Sequence, residues 1–313
     1  MKLSMIIPCY NEEDNVFLIH NAIEDVFKKS RIDYEIIFIN DGSNDNTMNN
    51  LNRLLDETKE KVKVVNFSRN FGKEAAIYAG LKESKGEFVS LIDADMQQDP
   101  KYVLDMVTFL DNNKEYDSVA LYQEKRKEGK LISFLKKRFY KFINKVTDTK
   151  FVENASDFRT FRRYMVDSIL SMQEYFRFSK GIFSWVGFNT FYMPYEVHGR
   201  ATGESKWTFR KLVKYALDGI ISFTTAPLRI ATYVGILSVF TSFIYIIWIL
   251  IEKFGFNSTP PGYATIVVLL LLFGGIQLFS LGIIGEYLGR VYIESKRRPI
   301  YISKEVRRSK KYD

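Results

Sequence analysis

The stretch Glu87-Phe88-Val89-Ser90-Leu91-Ile92-Asp93-Ala94-Asp95-Met96-Gln97-Gln98-Asp99-Pro100 decides the fold. It opens with an apolar run too short for a helix, the mark of a buried strand over Glu87–Asp93. The run ends in two carboxylates two residues apart, and Asp99-Pro100 then supplies the cap and first turn of a helix. Working outward, Lys2–Pro8, Tyr34–Asn40 and Val62–Asn66 are strands of the same kind. Between them Glu12–Lys28, Asn46–Thr58 and Gly72–Glu83 carry helical spacing, as in Val16, Ile19, Ile23 and Phe27. Strand–helix alternation of this kind builds an α/β domain, a mainly parallel sheet covered by helices. Ligands of such sheets bind beyond the carboxyl ends of the strands, so the polar residues that end each strand are where chemistry is expected.

The rest of the 313 residues sets the setting. Lys and Arg total 45 against 37 acidic residues, a net charge of +8 that points to an anionic partner: nucleic acid, phospholipid or a phosphorylated substrate. Cys9 is the sole cysteine, so an internal disulfide is excluded and a cysteine-based zinc site is not expected. Met1–Pro8 is too short an apolar run for a signal peptide, and the N-terminus is expected in the cytosol. The mean hydropathy of −0.13 averages two unlike regions. Ile230–Ile251 and Tyr263–Ile284 are each 22 residues without a charge. Each makes a helix roughly 33 Å long, enough to cross a bilayer. The connector holds one Lys and no Arg, whereas Arg210, Lys211, Lys214 and Arg229 precede the first span and Arg290 to Lys311 after the second are rich in charge. By the positive-inside rule both flanks and both termini are cytoplasmic, in a cell-membrane protein with two spans. The expected division is a soluble domain over 1–205, a juxtamembrane segment over 206–229, the hairpin over 230–284 and a basic tail over 285–313. Residues 124–146 interleave nine Lys and Arg with Leu131, Phe134, Phe139 and Phe142, which reads as an in-plane interfacial helix. Tethering to a bilayer argues against nucleic acid as the partner of these charges.

Familiar signatures are missing: no Gly-x-Gly-x-x-Gly after a strand, no P-loop, no Gly-x-Ser-x-Gly and no His-Glu-x-x-His. Only His20 and His198 occur, so a histidine-rich metal site is excluded. Dehydrogenase, P-loop ATPase and zinc protease are set aside. Carboxylates at strand ends remain. Asp93, Asp95 and Gln97 offer oxygen donors only, which suits Mg²⁺ or Mn²⁺. The first two strands also end in polar clusters, Pro8-Cys9-Tyr10-Asn11-Glu12-Glu13 and Asn40-Asp41-Gly42-Ser43-Asn44-Asp45-Asn46-Thr47, and all three converge on one crevice.

These three clusters resemble the nucleotide-sugar domain of the inverting family-two glycosyltransferases, with the GT-A fold. Asp95–Pro100, Phe158-Arg159-Thr160-Phe161-Arg162-Arg163 and Arg200-Ala201-Thr202-Gly203-Glu204-Ser205-Lys206-Trp207 resemble the polyprenyl-phosphate glycosyltransferases in particular. These are relatives of dolichyl-phosphate mannose synthase whose bacterial, undecaprenyl-phosphate glucosyltransferase branch ends in two membrane helices. The resemblance implies that Pro8, Tyr10 and Glu12 line the nucleoside pocket and that Asp41 bonds the uracil. It places Asp93 and Asp95 on ribose and metal, with Gln97 a further ligand. It gives Asp157 the role of a proposed base, Arg200 and Lys206 that of phosphate grips, and Lys73 a place in the same crevice.

The expected activity is transfer of one hexosyl group, glucose or N-acetylglucosamine, from a UDP-sugar to undecaprenyl phosphate. Transfer proceeds with inversion and with Mg²⁺ or Mn²⁺, for decoration of a cell-surface polymer. A lipid phosphate is already anionic near neutral pH, so Asp157 positions as much as it abstracts a proton. A processive polysaccharide synthase is disfavoured because Gln173-Glu174-Tyr175-Phe176-Arg177 lacks the Gln-x-x-Arg-Trp pattern and two spans cannot enclose a polymer. A non-catalytic membrane adaptor is disfavoured by the complete set Asp93, Asp95, Asp157, Arg200 and Lys206. Gly274, Gly275, Gly282, Gly285 and Gly289 mark a close-approach face, and a homo-oligomer, tetramer before dimer, is expected.

Overall fold

Four apolar runs form the parallel centre of one eight-stranded sheet in the computed structural model. The structure describes residues 1–123, 155–195, 221–255 and 262–312, with eight further positions between 138 and 152. In chain order the elements are β1 (Leu3–Cys9), α1 (Val16–Phe27), β2 (Tyr34–Asn40), α2 (Thr47–Glu57), β3 (Val62–Phe67), α3 (Lys73–Glu83), β4 (Phe88–Leu91) and α4 (Lys101–Asn112). There follow β5 (Ser118–Gln123), β6 (Ala155–Arg162), α5 (Arg163–Ser171), α6 (Ser179–Trp185) and β7 (Thr190–Tyr195), then α7 (Ala226–Gly255), α8 (Tyr263–Ser295) and β8 (Ser303–Arg308). The strand order is β7-β5-β6-β4-β1-β2-β3-β8. β4, β1, β2 and β3 run parallel, while β6 lies antiparallel to both β4 and β5. The mainly parallel sheet read from the sequence is therefore present, flanked by antiparallel strands that the sequence reading did not contain.

Strand burial follows from this order. β1 and β2 have helices on both faces, so nearly every residue in them is buried and they read as unbroken apolar runs. Leu3, Met5 and Ile7 pack with Ile36, Phe38, Val64, Val16, Ile19, Leu51, Val103 and Met106 on one face. α3 covers the other, and it sits so low that a Cβ on Gly80 would lie 2.2 Å from the Ile6 side chain. The chain runs outward from β1 through β2 to β3 and then crosses back to β4 on the other side of β1. This reversal is the switch point at which the strand ends splay and leave a crevice. The β1–β4 ladder stops at the pair Ile6–Leu91. Pro8, one repeat further on and facing the same side, has no N–H to offer and needs none there.

Two boundaries differ from the sequence reading. The charged segment after the second apolar run is not a tail throughout. α8 continues to Ser295, and Ser303–Arg308 then forms β8, antiparallel to β3. The reason is the exposed outer edge of β3, whose unpaired amides and carbonyls need a partner more than five exposed polar side chains and one valine need freedom. Ser309 locks the end: its backbone N–H donates to Val62 O at 2.9 Å, and its hydroxyl accepts from Val62 N at 3.0 Å while donating to Glu60 O at 2.7 Å. One unit thus comprises 1–216 together with 299–313, and the other 217–298. The second unit contains two helices long and apolar enough to cross a membrane, Ala226–Glu252 and Thr265–Ser295. Most of the interfacial segment 124–146 falls outside the described residues, as does most of 206–229.

Candidate active site

Each strand end brings a polar loop to the crevice, and the loops are laced together. Asn11 adopts φ 54, a left-handed turn that asparagine tolerates. Its backbone N–H donates to Ser43 Oγ at 3.0 Å and its side-chain oxygen accepts from Asn44 N at 2.9 Å. Glu12 N donates to Thr47 Oγ1 at 2.8 Å, and Glu13 Oε2 accepts from Asn46 N at 2.9 Å. The loops after β1 and β2 therefore form one rigid wall that carries Tyr10 at its exposed surface.

Asp41 is buried and its carboxylate is turned inward. Oδ1 accepts from Phe71 N at 2.7 Å and Oδ2 from Gly72 N at 3.0 Å. Burial raises its pKa, and the two amides pull it back only in part. Gly42 follows at φ 65, with the Arg69 carbonyl carbon 2.4 Å from where a Cβ would stand, so only glycine lets the two loops meet. The effect is to fix the loop before α3. Where the sequence resemblance assigns Asp41 to the uracil, its carboxylate here is occupied by the backbone of residues 71–72.

That loop delivers Lys73, the first residue of α3. Its ammonium lies 2.6 Å from Asp93 Oδ1 and 3.5 Å from Asp157 Oδ2. Burial alone would lower the lysine, but Asp93 and Asp157 outweigh it and hold it raised. Asp157 projects from β6, antiparallel to β4. Burial pushes its carboxyl up, and Lys73, Lys180 and Arg159 together hold it below its ordinary value. Its second oxygen, Oδ1, is buried and has no hydrogen-bond partner among the described residues. Pro8, Lys73, Ile77, Asp93, Asp157 and Phe158 line a small cavity at this point. The structure thus brings together Pro8, Lys73, Asp93 and Asp157 from four separate elements.

Asp95 stands two residues beyond Asp93, and its Oδ1 accepts from Gln97 N at 3.2 Å. Met96 between them has φ 58, a strained conformation that turns the chain back at this point. No group of three His, Cys, Asp or Glu able to enclose a metal occurs among the described residues. Asp95, Asp93 and Gln97 offer oxygen donors only, and these residues could hold an ion of the Mg²⁺ class, which takes one or two carboxylates and completes its shell with water and phosphate. Arg200 and Lys206 lie outside the described residues.

Three residues that sequence reasoning did not assign belong to this neighbourhood. Arg159 is buried, its guanidinium 4.7 Å from the centre of the Phe183 ring, with Nη2 donating to Ser156 O at 3.0 Å and Nε without a partner among the described residues. Lys180 donates to Ala155 O at 3.1 Å. Glu74 accepts from Ser179 N at 2.9 Å and from the Ser179 hydroxyl. Only Arg159 had a signal, as part of the quoted Phe158–Arg163 motif; the others are polar residues whose roles arise from chain crossings.

The chain is similar to known glycosyltransferases along most of its length. Residues 4–170 match Glycosyl transferase family 2, and residues 226–291 match the GtrB C-terminal hairpin. CsbB of Bacillus subtilis (strain 168), named as a glycosyltransferase, is 44% identical over 304 residues, which cover 97% of this chain and 91% of that protein. The bactoprenol glucosyl transferase of Shigella phage SfV is 38% identical over 304 residues, 97% of this chain and 98% of its own. The prophage bactoprenol glucosyl transferase homolog of Escherichia coli (strain K12) is 37% identical over 308 residues, 98% and 100% of the two chains. With matches that run from the first strand through both apolar helices, this chain belongs to glycosyltransferase family 2 and carries the C-terminal hairpin of the GtrB type.

Proposed function

We propose that the protein transfers one hexosyl residue, glucose or N-acetylglucosamine, from a UDP-sugar to undecaprenyl phosphate at the cytoplasmic face of the membrane. The observation that carries this reading is the Asp93–Lys73–Asp157 cluster at the switch point of a chain that also bears a GtrB-type hairpin. The similarity to bactoprenol glucosyl transferases over nearly the full chain supports glucose and a polyprenyl phosphate as the pair. Residues before and after the hairpin build one sheet, which supports both flanks lying on one side of the bilayer.

In the reaction a phosphate oxygen of the acceptor attacks C1 of the sugar, and the bond from C1 to the nucleotide diphosphate breaks on the opposite face, giving inversion. Asp95, with Asp93 and Gln97, would hold Mg²⁺ or Mn²⁺, which supplies positive charge to the departing diphosphate. Lys73 offsets part of the charge of Asp93 and Asp157, so the crevice repels anionic groups less than two bare carboxylates would. Asp157 is held ionised beside Lys73, where its carboxylate would orient the acceptor phosphate or take its remaining proton.

The test uses full-length protein, undecaprenyl phosphate and radiolabelled UDP-sugars with Mg²⁺, Mn²⁺ or EDTA. A single lipid-extractable product, abolished by EDTA, is expected. Asp95→Asn is expected to lower turnover by roughly 10²–10³-fold, as for loss of a group that stabilises transition-state charge. UDP binding without any lipid product would favour the adaptor reading, and a polymeric product would favour a processive synthase.

A further inference from the structure

We propose that Glu74 is a positioning residue for this transfer: by latching Ser179, the first residue of α6, it sets Lys180 and Phe183 against the Asp157–Arg159 segment of β6. The inference deepens the function proposed above and rests on it. Glu74 follows Lys73 directly on α3, yet the two side chains diverge. The Lys73 ammonium goes to Asp93 and Asp157, and the Glu74 carboxylate goes to Ser179, 105 residues away in sequence.

α6 has only seven residues, too few to hold itself in place by its own backbone hydrogen bonds. Its position comes from the buried Ile182 and Phe183 and from the Glu74 latch at its start. What it carries matters to the crevice. Lys180 reaches Ala155 O and contributes to holding Asp157 ionised. Phe183 lies against the Arg159 guanidinium and packs on Phe161 with ring centres 4.9 Å apart. Lys73 and Glu74 leave α3 in adjacent positions, so one helix terminus fixes both flanks of Asp157. Among the described residues the charged groups acting on or facing Glu74 include Asp157, Lys73 and Arg177, the last seated over the Tyr78 ring of the same α3. Burial pushes Glu74 up to about 7, with the Ser179 donors opposing and Asp157 adding to the rise.

The test compares Glu74→Ala, Glu74→Gln, Ser179→Ala and the Glu74→Ala/Ser179→Ala double variant in full-length protein with the UDP-sugar and undecaprenyl phosphate. Glu74→Ala is expected to lower kcat roughly 10- to 100-fold, the scale of a small misplacement of a reacting group, with UDP affinity unchanged. Ser179→Ala should fall in the same direction, and the double variant should be no worse than Glu74→Ala, because both remove one link. Glu74→Gln keeps an acceptor oxygen and should restore most of kcat. Independently of turnover, amide hydrogen exchange over Lys180–Phe183 should quicken in Glu74→Ala while β1 and β2 stay protected. Additive kinetic losses, wild-type kcat in Glu74→Ala, or unchanged exchange in α6 would overturn the proposal. If the wild type forms no lipid-linked sugar, the proposed function fails, and the exchange result still decides the latch.

Discussion

Lys73 is the residue on which the crevice balances, because it is the cation shared by Asp93 and Asp157. In Lys73→Met the burial that raises Asp157 remains while the largest charge opposing it is gone. The Asp157 pKa should therefore rise, and the acid limb of the kcat/KM profile should move to higher pH; a profile unchanged in shape would separate Asp157 from the chemistry. Glu74 gives the opposite sign in stability. Its folded value of about 7 lies above the ordinary 4.5, so between these limits the folded chain holds a proton that the unfolded chain has released. Stability should fall as pH rises through that window and level off above it. Glu74→Gln should remove this slope, as thermal melts on either side of the window would show. For Asp41, replacement by Ala leaves the Phe71 and Gly72 amides without their carboxylate. The expected cost is about 1.5–3 kcal/mol, the usual worth of hydrogen bonds to a charged group, measured by denaturant unfolding.

At the scale of elements, the parallel strands and their helices were legible because burial on both faces leaves an apolar run that ends abruptly in polar residues. β6 was not legible for the opposite reason. Ala155–Arg162 places Arg159, Thr160 and Arg162 in buried positions, and hydropathy cannot mark such a strand. The partners of Thr160 and Arg162 are distant in sequence: Thr160 Oγ1 meets Ser90 Oγ at 2.7 Å, and the Arg162 guanidinium caps the carbonyls of Leu110, Asn113 and Tyr116. Asp157 could be quoted from the sequence, but its place across from Asp93 follows from β6 pairing antiparallel to β4. The β2–α2 loop was legible as a polar strand end, and its contact with residues 69–70 explains why one of its residues must be glycine. Gly42→Ala should cost about 1–3 kcal/mol through a forced left-handed backbone and a backbone clash. It should also loosen Lys73, so that thermal stability and turnover fall together.

At the scale of the whole molecule, the chain leaves the sheet, makes the apolar hairpin and returns to the same sheet. Beyond β8, Tyr312 donates its hydroxyl to Glu35, a carboxylate with no exposed surface that also accepts from Ser4 Oγ at 2.6 Å. The Tyr312 ring lies 5.0 Å from the ammonium of the equally buried Lys63. Ending the chain at Pro299 would strip β3 of its partner and leave Glu35 short of a donor in the interior. Such a truncation is expected to give protein that aggregates or is rapidly proteolysed on extraction, even though every crevice residue is retained. Tyr312→Phe, which keeps the ring over Lys63, should lose only about 1–3 kcal/mol, the cost of one unsatisfied buried group.

Taken by itself, the sequence determined the parallel α/β core, the crevice at the strand ends, the two apolar helices and the family, because each is written in local pattern. Burial period, strand-terminal carboxylates and uncharged runs of membrane length need no knowledge of distant contacts. The tertiary structure alone decided that Lys73 pairs with both Asp93 and Asp157, that Asp41 secures a loop, that Glu74 holds α6 and that the basic C-terminal segment is a strand. Each of these depends on which donor meets which acceptor across the sheet, and a charged side chain carries no mark in sequence of whether it will face water or a partner.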